Sequence, residues 1–473
     1  MLAIGKTTGN AKGAPMNNEM FNWQFKHTQY IPYDPSVDAL YTGYTTHPAL
    51  GGVQPFEYTG WRDEMLAAYE TCYIHAGLNP AFTYRFKGAD AMRFLEENLV
   101  NGFKTFEVGK SRHGIMVNED GLLLSDGMLL RIGEDEFTTY WLAPYLQYKL
   151  ETGDYDCEGF DETGEVFMFQ LGGPRSLEIV EAATEEDFHD LPFLCHRTSS
   201  IDGMDVRIIR IGMAGSLAYE VHGKLEDSQA VYSALLKYGE KYGIKRLGRH
   251  AYWNTHTEGG FPQFIIHFPY AWEKDAGFME WMQETNCPMA YYALSLQPLG
   301  GSLGADPELR YVNPVELGWG SAVKFNHDFV GKDALAKIVD GPHRVMTCLE
   351  WNDEDVVDVW ASQFSDDPYE VMDQAEDYDP TGKFEYRAEK VVADGKTVGV
   401  STGRIFSPYY HKMISLCTME AAYAEEGAEV EVVWGAEGSR QKLIRAKVTR
   451  YPYHSEGRND TVDVNAIPRG TRD

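Results

Sequence analysis

The sequence predicts an α+β protein that ends in an all-β region. Its 473 residues suggest about three domains, at roughly 150 residues per domain. Before residue 341, stretches with helical periodicity alternate with short strand patterns that end in glycine or proline turns. After residue 341 the patterns are mainly those of strands, which favour a small barrel or sandwich.

The part before residue 341 begins with a stretch that lacks clear periodicity. Residues 1–55 are rich in Gly, Pro, Thr and Tyr, and we expect an irregular extension that packs on the core. Three stretches with apolar residues on one face predict helices: 61–69, 89–99 and 227–242. Three apolar stretches predict strands: 82–88, 166–171 and 205–211. An Asp-Gly pair within 118–121 predicts a tight turn that leads into an apolar strand.

The part after residue 341 holds five predicted strands, over 344–351, 390–402, 413–419, 428–434 and 441–450. The segment 353–379 between the first two is strongly acidic. We expect a charged surface loop there rather than a functional site.

The charge of the chain excludes two classes of partner. There are 42 Lys and Arg residues against 72 Asp and Glu residues, a formal net charge of −30. Such a chain has no excess positive charge for nucleic-acid phosphates or anionic lipids, so we expect neither a nucleic-acid nor a membrane partner. A content of 43% hydrophobic and 13% aromatic residues argues against intrinsic disorder.

The N-terminus lacks the apolar core of a signal peptide, and no apolar run approaches the length of a membrane span. The six cysteines are scattered and form no CxxC pair. We therefore expect reduced, mostly buried thiols and a cytoplasmic location. The 14 histidines form no HExxH or HxH motif, and no metal site is predicted.

Four motifs follow one another along the chain. They are Gly-Met-Ala-Gly-Ser-Leu-Ala-Tyr-Glu-Val at 212–221, Tyr-Trp-Asn-Thr-His-Thr-Glu-Gly-Gly at 252–260, Asn-Pro-Val-Glu-Leu-Gly-Trp-Gly with Asp-Phe-Val-Gly-Lys-Asp-Ala-Leu at 313–335, and Gly-Val-Ser-Thr-Gly-Arg-Ile-Phe-Ser-Pro at 399–408. Their order and spacing resemble the folate-dependent glycine-cleavage T-protein (aminomethyltransferase) family, over roughly residue 56 to the C-terminus. Within that family, the motifs are most similar to those of tetrahydrofolate-dependent O-demethylases of lignin-type aromatics, the vanillate and syringate demethylases.

The resemblance implies a three-domain cloverleaf around a central hole that folate enters. Residues 56–340 would be a folate-binding catalytic core of two intertwined α+β domains, and residues 341–473 a C-terminal β-barrel domain. It also implies tetrahydrofolate as cofactor and a small aromatic ether as substrate, in a monomer or small homo-oligomer.

The first two motifs suggest site residues by resemblance. Glu220, with Tyr219 beside it, would bind the amino-pyrimidine edge of the pterin, because a carboxylate can accept two parallel hydrogen bonds; a glutamate on a surface strand is the alternative. Tyr252 would assist the departing aryl oxygen, although a core tyrosine is the alternative. Asp126 lies where the family has its catalytic acidic pair, with Ser125 in place of the first acid, and would either orient folate or hold a turn.

The second motif also contains a possible acid–base pair. His256 and Glu258 lie two residues apart and would share one side of an extended segment, either as acid–base machinery or as support for the folate site. An aromatic run follows, and its irregular spacing and prolines favour a loop that lines a flat apolar pocket over the alternative, packing in a core. The substrate-binding candidates in this run are Phe261, Phe264 and His267.

Three further residues are assigned to cofactor packing or charge. Trp319 and the segment around Lys324 are expected to serve folding and folate packing. The negative glutamate tail of a folate requires local positive charge against the global −30, and Arg404 or Lys324 are the candidates.

Two departures from the vanillate-type pattern bear on the substrate. Leu142 stands where those enzymes carry an arginine for the substrate carboxylate, and residues 77–80 stand where they carry Gln-x-x-His. Loss of the arginine disfavours an anionic benzoate, so we expect a neutral aromatic with a methoxy or methylenedioxy group. The product would be 5-methyl- or 5,10-methylene-tetrahydrofolate. The alternatives are an amine or sulfonium demethylase of the same family, and a folate-binding regulatory protein without turnover.

Overall fold

The computed structural model describes residues 28–32, 43–45, 52–264, 266–287, 300–304, 307–372 and 387–472. Most of the predicted N-terminal extension over 1–55, and residues 373–379 of the acidic segment, lie outside these ranges.

The strands follow one another along the chain in three groups. Strands before residue 165 are β1 (Gly43–Thr45), β2 (Gly52–Gln54), β3 (Cys72–His75), β4 (Thr83–Lys87), β5 (Ser111–Val117), β6 (Leu123–Gly133), β7 (Glu136–Tyr140) and β8 (Glu158–Asp161). The next group is β9 (Val166–Gly172), β10 (His196–Ile201), β11 (Met204–Ile209), β12 (Ala218–Lys224) and β13 (Ile244–Leu247). The C-terminal group is β14 (Arg344–Trp351), β15 (Ala388–Ala393), β16 (Lys396–Ser407), β17 (Lys412–Glu420), β18 (Glu429–Trp434) and β19 (Lys442–Thr449).

The helices lie mainly between these strands. They are α1 (Trp61–Glu70), α2 (Ala91–Asn98), α3 (Tyr145–Thr152), α4 (Ser176–Thr184), α5 (Ser228–Gly239), α6 (Arg249–Gly259), α7 (Ala276–Glu284), α8 (Pro307–Arg310), α9 (Lys332–Asp340) and α10 (Asp353–Ser362).

Three larger sheets organise these elements. A five-stranded antiparallel sheet has the order β5-β6-β7-β4-β8, and a six-stranded mixed sheet has the order β10-β11-β12-β9-β3-β13. Strands β14 to β19 form a closed barrel in the order β14-β17-β16-β15-β18-β19. Strands β1 and β2 form a short separate pair. The predicted α+β class with a C-terminal all-β region is confirmed, while the exact domain boundaries stay a prediction.

Most of the predicted elements are confirmed with small changes at their ends. The helix predicted over 227–242 is α5 followed by a short 3-10 turn, and Gly243 ends it with a left-handed φ of 74°. The single strand predicted over 390–402 is wrong, because β15 and β16 form a hairpin there. Asp394 and Gly395 make its turn with φ values of 51° and 75°, which a short polar residue and a glycine tolerate best.

The loop predicted for the acidic segment is wrong over 353–362, where the chain forms α10. The Asn352 side chain caps this helix by accepting a hydrogen bond from the backbone N–H of Asp355. Three acidic residues lie in its first turn, where the helix dipole favours negative charge. The charge therefore stabilises a helix terminus instead of breaking the helix.

The six-stranded sheet has one apolar and one polar face near its centre. On β9 and β12 alternate residues point to opposite faces, so Leu171 and Tyr219 pack into the core formed with α4 and α5. Gln170, Glu220 and His222 point to the other face, where their side chains form hydrogen bonds with one another. This face forms one wall of the cavity described below.

Helix α6 is buried on all sides at the centre of the molecule. Gly248 precedes it, and a Cβ atom there would lie 2.1 Å from the Phe56 carbonyl oxygen, so only glycine permits this close approach. The buried carboxylate of Glu64 on α1 accepts the Gly248 N–H at 2.7 Å. At the other end, Gly260 closes the helix with φ 67°, and the Thr257 hydroxyl donates to the Gly403 carbonyl oxygen of the barrel at 2.7 Å.

Three of the six cysteines, Cys72, Cys348 and Cys417, are buried, and Cys157, Cys195 and Cys287 are half-buried. The expectation that the thiols are mostly buried is therefore met in half of them. Among the helices of the described ranges, none has the length and apolar character needed to cross a membrane.

The C-terminal residues 467–472 lie across the C-terminal end of α4. The Arg472 guanidinium donates from Nε to the Ala182 carbonyl oxygen at 3.0 Å and from a terminal nitrogen to the Ala183 carbonyl oxygen at 2.9 Å. These are carbonyls that the last helical turn leaves without partners inside the helix.

We expect Arg472→Ala to lower the free energy of unfolding by about 1 kcal/mol, because it removes a cation that caps a helix C-terminus. Urea unfolding followed by circular dichroism measures the change. Lys332→Ala, which breaks an exposed pair with Asp328, serves as control and should change stability by less than about 0.5 kcal/mol. Equal losses in both variants would contradict the capping role.

Candidate active site

A cavity of about 190 Å³ lies between the two open sheets and α6. Its walls come from strands β3, β5, β6, β7, β9 and β12, from α6, and from an aromatic loop formed by residues 261–264 and 266–272. We call it the central cavity. Six of the predicted site residues line it: Asp126, Glu220, Tyr252, His256, Phe261 and Phe264. The aromatic residues after α6 were predicted to form a loop beside an apolar pocket, and residues from 261–264 and 266–272 do line the central cavity.

Glu220 presents a buried carboxylate to the central cavity. The Gln170 side-chain amide donates to its Oε1 at 3.4 Å, and His222 Nε2 contacts its Oε2 at 2.9 Å. Gln170 is held in turn by the Tyr73 hydroxyl at 2.8 Å. These contacts fix the direction of the carboxylate, while the remaining lone pairs can accept hydrogen bonds from a ligand.

Tyr252 lies on the face of α6 that borders the cavity, one helical turn before His256. Its ring stacks on His75 of β3, with centroids 4.1 Å apart and planes 6° apart, and meets the His256 ring edge-on at 4.9 Å. Burial raises the Tyr252 pKa well above its ordinary value, with smaller contributions from Tyr73 and Glu220. The hydroxyl therefore keeps its proton and is available as a hydrogen-bond donor.

Two histidines beside Tyr252 are neutral at physiological pH. His75 Nδ1 contacts the Leu247 carbonyl oxygen at 2.9 Å, and His256 Nδ1 contacts the Phe261 carbonyl oxygen at 3.0 Å. Burial lowers the pKa of each to about 4. The backbone contacts place the ring proton on Nδ1 in both residues. His256 Nε2 is then a buried acceptor without a hydrogen-bond partner among the described residues.

Asp126 lies on the opposite wall, on β6. Its Oδ2 contacts His113 Nε2 at 2.8 Å, and its Oδ1 accepts the Tyr270 hydroxyl at 2.7 Å. His113 comes from β5 and Tyr270 from the aromatic loop, and both line the cavity. Asp126 on β6 is therefore connected to β5 through His113 and to the aromatic loop through Tyr270. Both suggested roles of Asp126, orienting a ligand and holding a turn, stay predictions.

The expectation that His256 and Glu258 share one side is wrong, because the segment is helical and not extended. Residues two apart on a helix point in different directions. Glu258 points away from the central cavity and accepts a hydrogen bond from the Tyr69 hydroxyl of α1. Burial raises the Glu258 pKa from 4.5 to about 7, against smaller opposing effects of the Ser407 and Tyr69 hydroxyls.

This placement predicts a pH-dependent stability. The folded state favours the protonated form of Glu258, because the pKa of this side chain is higher in the folded than in the unfolded chain. The contribution of protonated Glu258 to the free energy of unfolding is therefore complete below about pH 4.5 and is lost as the pH rises through about 7. Glu258→Gln removes this loss, so the variant should gain stability relative to the wild type between pH 5 and pH 8, by on the order of 3 kcal/mol. Chemical unfolding at the two pH values measures the difference. The exposed Glu437→Gln is the control, and a constant offset between Glu258→Gln and wild type would refute the assignment.

Tyr219 and Arg404, like Glu258, are predicted cofactor residues that lie outside the lining of the central cavity. Tyr219 neighbours Glu220 on β12 and therefore points to the opposite, apolar face of the sheet. Arg404 lies in the barrel, where its guanidinium sits over the Trp434 ring at 4.9 Å. Lys324, the other candidate for the folate tail, is an exposed residue that does not line the cavity either.

Three further predicted residues form a second layer behind the lining. Trp319 packs edge-on against His113 at 4.5 Å, and His267 contacts the Thr257 hydroxyl at 3.1 Å. Leu142 is fully buried, with its side chain against Gly114. Its neighbours Trp141 and Ala143 line the cavity instead. Trp141 has a left-handed backbone conformation, with φ 72°, which changes the direction of the chain at this point.

The rest of the lining is largely apolar. Met128, Met168 and Met213 border the cavity, and their flexible side chains adapt to ligands of different shape. Arg249 is the one lysine or arginine side chain that the lining contains within the described part of the chain, and it lies over the Trp253 ring at 4.4 Å. The site is thus an apolar pocket with two carboxylates, Asp126 and Glu220, on different walls.

Sequence reasoning missed His75, His113 and Arg249 as lining residues. The turn predicted at 118–121 indicates which part of β6 lies opposite β5, but it does not place His113 and Asp126 on the same face. A β-bulge between Met116 and Val117 shifts the register by one residue and puts both side chains on one face, and nothing in the sequence marks this bulge. His75 and Arg249 reach the cavity only through the packing of β3 against α6.

Comparison with known proteins identifies the family and the fold of the chain. The profile of the GCVT N-terminal domain matches residues 42–266. A sesamin methylene transferase from Sinomonas sp. (strain No.22) is 42% identical over 444 residues, which cover 92% of this chain and 98% of that protein. A syringate O-demethylase from Sphingobium sp. is 30% identical over 458 residues, which cover 90% of this chain and 96% of that protein.

A crystal structure confirms the predicted fold type. The glycine cleavage system aminomethyltransferase T from Bartonella henselae superposes with a TM-score of 0.63 at 18% identity, covering 89% of this chain and 96% of that protein.

Proposed function

The chain belongs to the GCVT family of aminomethyltransferases, the T-protein family, and from that premise we propose a tetrahydrofolate-dependent transferase that removes an O-linked carbon from an aromatic ether. One observation carries this proposal. One apolar cavity has the buried carboxylate of Glu220 on one wall and Tyr252, whose hydroxyl keeps its proton, on another.

The residues of the cavity fit a reduced pterin. Glu220 offers a fixed, buried acceptor for the amino-pyrimidine edge, and a carboxylate in low-dielectric surroundings makes strong hydrogen bonds. His256 Nε2 offers a second buried acceptor that lacks a partner among the described residues. Aromatic and methionine side chains supply the flat apolar walls. Bound tetrahydrofolate would supply the amine nitrogen that accepts the carbon.

Tyr252 would act on the departing oxygen. Negative charge develops on that oxygen as the C–O bond breaks, and a hydroxyl aimed at it stabilises the charge. A tyrosine whose pKa lies well above its ordinary value holds its proton more tightly than a phenol in water does. Tyr252 therefore stabilises the oxygen by donating a hydrogen bond rather than by surrendering its proton. Stacking on His75 holds the ring in place for this contact.

The substrate proposed is a neutral aromatic with a methylenedioxy or methoxy group. The walls are mainly apolar, and the two carboxylates of the lining would repel a benzoate. Arg249 stacks on Trp253, but a single cation is outnumbered by Asp126 and Glu220. The relative named as a methylene transferase favours the methylenedioxy branch, with 5,10-methylene-tetrahydrofolate as product.

The proposal is tested by anaerobic incubation with tetrahydrofolate and a panel of ethers, followed by mass spectrometry of the folate. The panel contains neutral methylenedioxy arenes, neutral methoxyarenes and vanillate. We expect one-carbon folate from a neutral ether, at a kcat/KM at least about 100-fold above that for vanillate, which lacks a bidentate partner here. Efficient turnover of vanillate would refute the neutral-substrate assignment, and no one-carbon folate from any ether would refute the proposed function.

The alternatives have distinct outcomes in the same assay. Turnover of a methylated amine or sulfonium compound, without turnover of ethers, would indicate an amine or sulfonium demethylase of the same family. Tight tetrahydrofolate binding without any turnover would indicate a regulatory folate-binding protein. The position of Tyr252 against the cavity favours ether cleavage, because an amine leaving group does not need a hydrogen-bond donor in the same way.

A further inference from the structure

The hairpin of β5 and β6 brings a histidine and an aspartate together inside the central cavity. His113 Nε2 lies 2.8 Å from Asp126 Oδ2. The Tyr270 hydroxyl donates to the other carboxylate oxygen at 2.7 Å, and the backbone N–H of Asp126 reaches the same hydroxyl at 3.1 Å. Both oxygens of Asp126 therefore have partners, from β5 and from the aromatic loop.

These contacts assign the tautomer of His113. A carboxylate accepts hydrogen bonds, so the imidazole proton sits on Nε2 and the lone pair on Nδ1. Nδ1 has no hydrogen-bond partner among the described residues, and the side chain is 20% exposed, toward the cavity that it lines. The arrangement is that of a catalytic base whose second nitrogen is oriented by a half-buried acid.

The neighbours of His113 hold the ring in place. Trp319 meets it edge-on at 4.5 Å and Phe261 lies at 5.2 Å. The titratable groups around it are Asp126 on β6, Tyr270 on the aromatic loop and, beyond Phe261, His256 on α6. The Asp126 carboxylate contacts Nε2 of His113, whereas the Nδ1 atoms of His75 and His256 contact backbone carbonyl oxygens.

We propose that His113 is a catalytic base of the transfer reaction, with Asp126 and Tyr270 as its positioning residues; this rests on the function proposed above. A C–N bond forms as the C–O bond breaks, and the C–O electron pair leaves with the aryl oxygen. The proton lost by the attacking amine goes to Nδ1 of His113, where the imidazolium is paired with Asp126. The imidazolium then gives that proton to water, and the aryl oxygen takes one from water, so no net proton is released. A methylenedioxy substrate requires this cycle twice.

The test compares His113→Gln with a matched control, His343→Gln, whose ring contacts a carbonyl in its own loop outside the cavity. With the ether that the wild type turns over, His113→Gln should lower the single-turnover rate by about 100- to 10,000-fold, as loss of a general base does. The dissociation constant of tetrahydrofolate should change by less than about threefold, since a base does not supply ground-state affinity. The control should match the wild type in both measurements.

Two further measurements separate a base from a structural residue. Added imidazole should restore part of the rate of His113→Ala, because a small base can occupy the vacated space. In the wild type without substrate, tetrahydrofolate should block carbethoxylation of His113 by diethyl pyrocarbonate, as read by peptide mass spectrometry. Asp126→Asn should also slow turnover, because an amide can donate to Nε2 and so reverse the tautomer.

The outcomes distinguish this inference from the proposed function. If the wild type forms one-carbon folate and His113→Gln retains its rate, the base is not His113 and the function stands. A rate loss explained wholly by weaker tetrahydrofolate binding, no rescue by imidazole, or carbethoxylation of His113 that tetrahydrofolate does not block would each overturn the inference as well. If the wild type forms no one-carbon folate from any ether, the proposed function has failed and the inference with it.

Discussion

Tyr252→Phe is expected to lower the single-turnover rate of ether cleavage by about 100- to 1,000-fold, the usual cost of removing one donor to a developing oxyanion. The substitution removes the hydroxyl and keeps the ring, so the stack on His75 and the edge contact with His256 remain. Tetrahydrofolate affinity should therefore stay within a few fold of the wild type. Rapid-quench single-turnover kinetics with mass spectrometry of the folate gives the rate.

The dependence on the leaving group tests the role more sharply. A more acidic phenol leaves with less need for a donor, so the deficit of Tyr252→Phe should shrink as electron-withdrawing groups are added to the ether. Tyr453→Phe is the matched control, because it also removes one hydroxyl, in this case one that donates to Glu350 of the barrel. Full activity of Tyr252→Phe toward every ether that the wild type processes would show that Tyr252 only packs.

Glu220→Gln is expected to weaken tetrahydrofolate binding by about 10- to 100-fold, because it removes the charged acceptor of a hydrogen-bonded pair worth roughly 1.5–3 kcal/mol. Glutamine has nearly the same volume and can still contact Gln170 and His222, so the local fold should be kept. Anaerobic isothermal titration calorimetry with tetrahydrofolate measures the dissociation constant. Glu158→Gln on the exposed strand β8 is the control.

A pterin analogue without the 2-amino group isolates the contact in question. The wild type should bind this analogue more weakly than tetrahydrofolate, while Glu220→Gln should show much less preference between the two. If both proteins discriminate equally, the carboxylate does not face the amino-pyrimidine edge. If Glu220→Gln binds tetrahydrofolate as the wild type does, Glu220 has a purely structural role.

The local elements of the fold were predictable because they depend on residues close in sequence. The helices α1 and α5 follow from their apolar faces, and the hairpin of β5 and β6 follows from an Asp-Gly turn. The failures also have local causes. Residues 353–362 were predicted to be a loop because the prediction relied on their high content of acidic residues. Three of these acidic residues lie in the first turn of a helix, where negative charge favours the helix.

The candidate site was predictable only in part. Motif resemblance named Glu220, Tyr252 and Asp126 as candidates, and all three line the central cavity, although they lie on β12, α6 and β6. Their roles stay predictions. The resemblance also included Tyr219 and Glu258, whose side chains point elsewhere. A motif identifies a stretch of chain, but the alternation of a strand or the turn of a helix decides which of its neighbouring residues faces the ligand.

The sequence by itself determined the fold class, the β-rich C-terminal region, the family and the apolar aromatic character of the pocket. These are properties of composition, periodicity and motif order, to which each residue contributes through its near neighbours. Only the tertiary structure decided which polar groups meet. Tyr270 and Asp126 are 144 residues apart, Gln170 and Glu220 are 50 apart, and His75 stacks on Tyr252 from another element. Such contacts arise when sheets and a buried helix pack together, and short-range patterns carry no information about them.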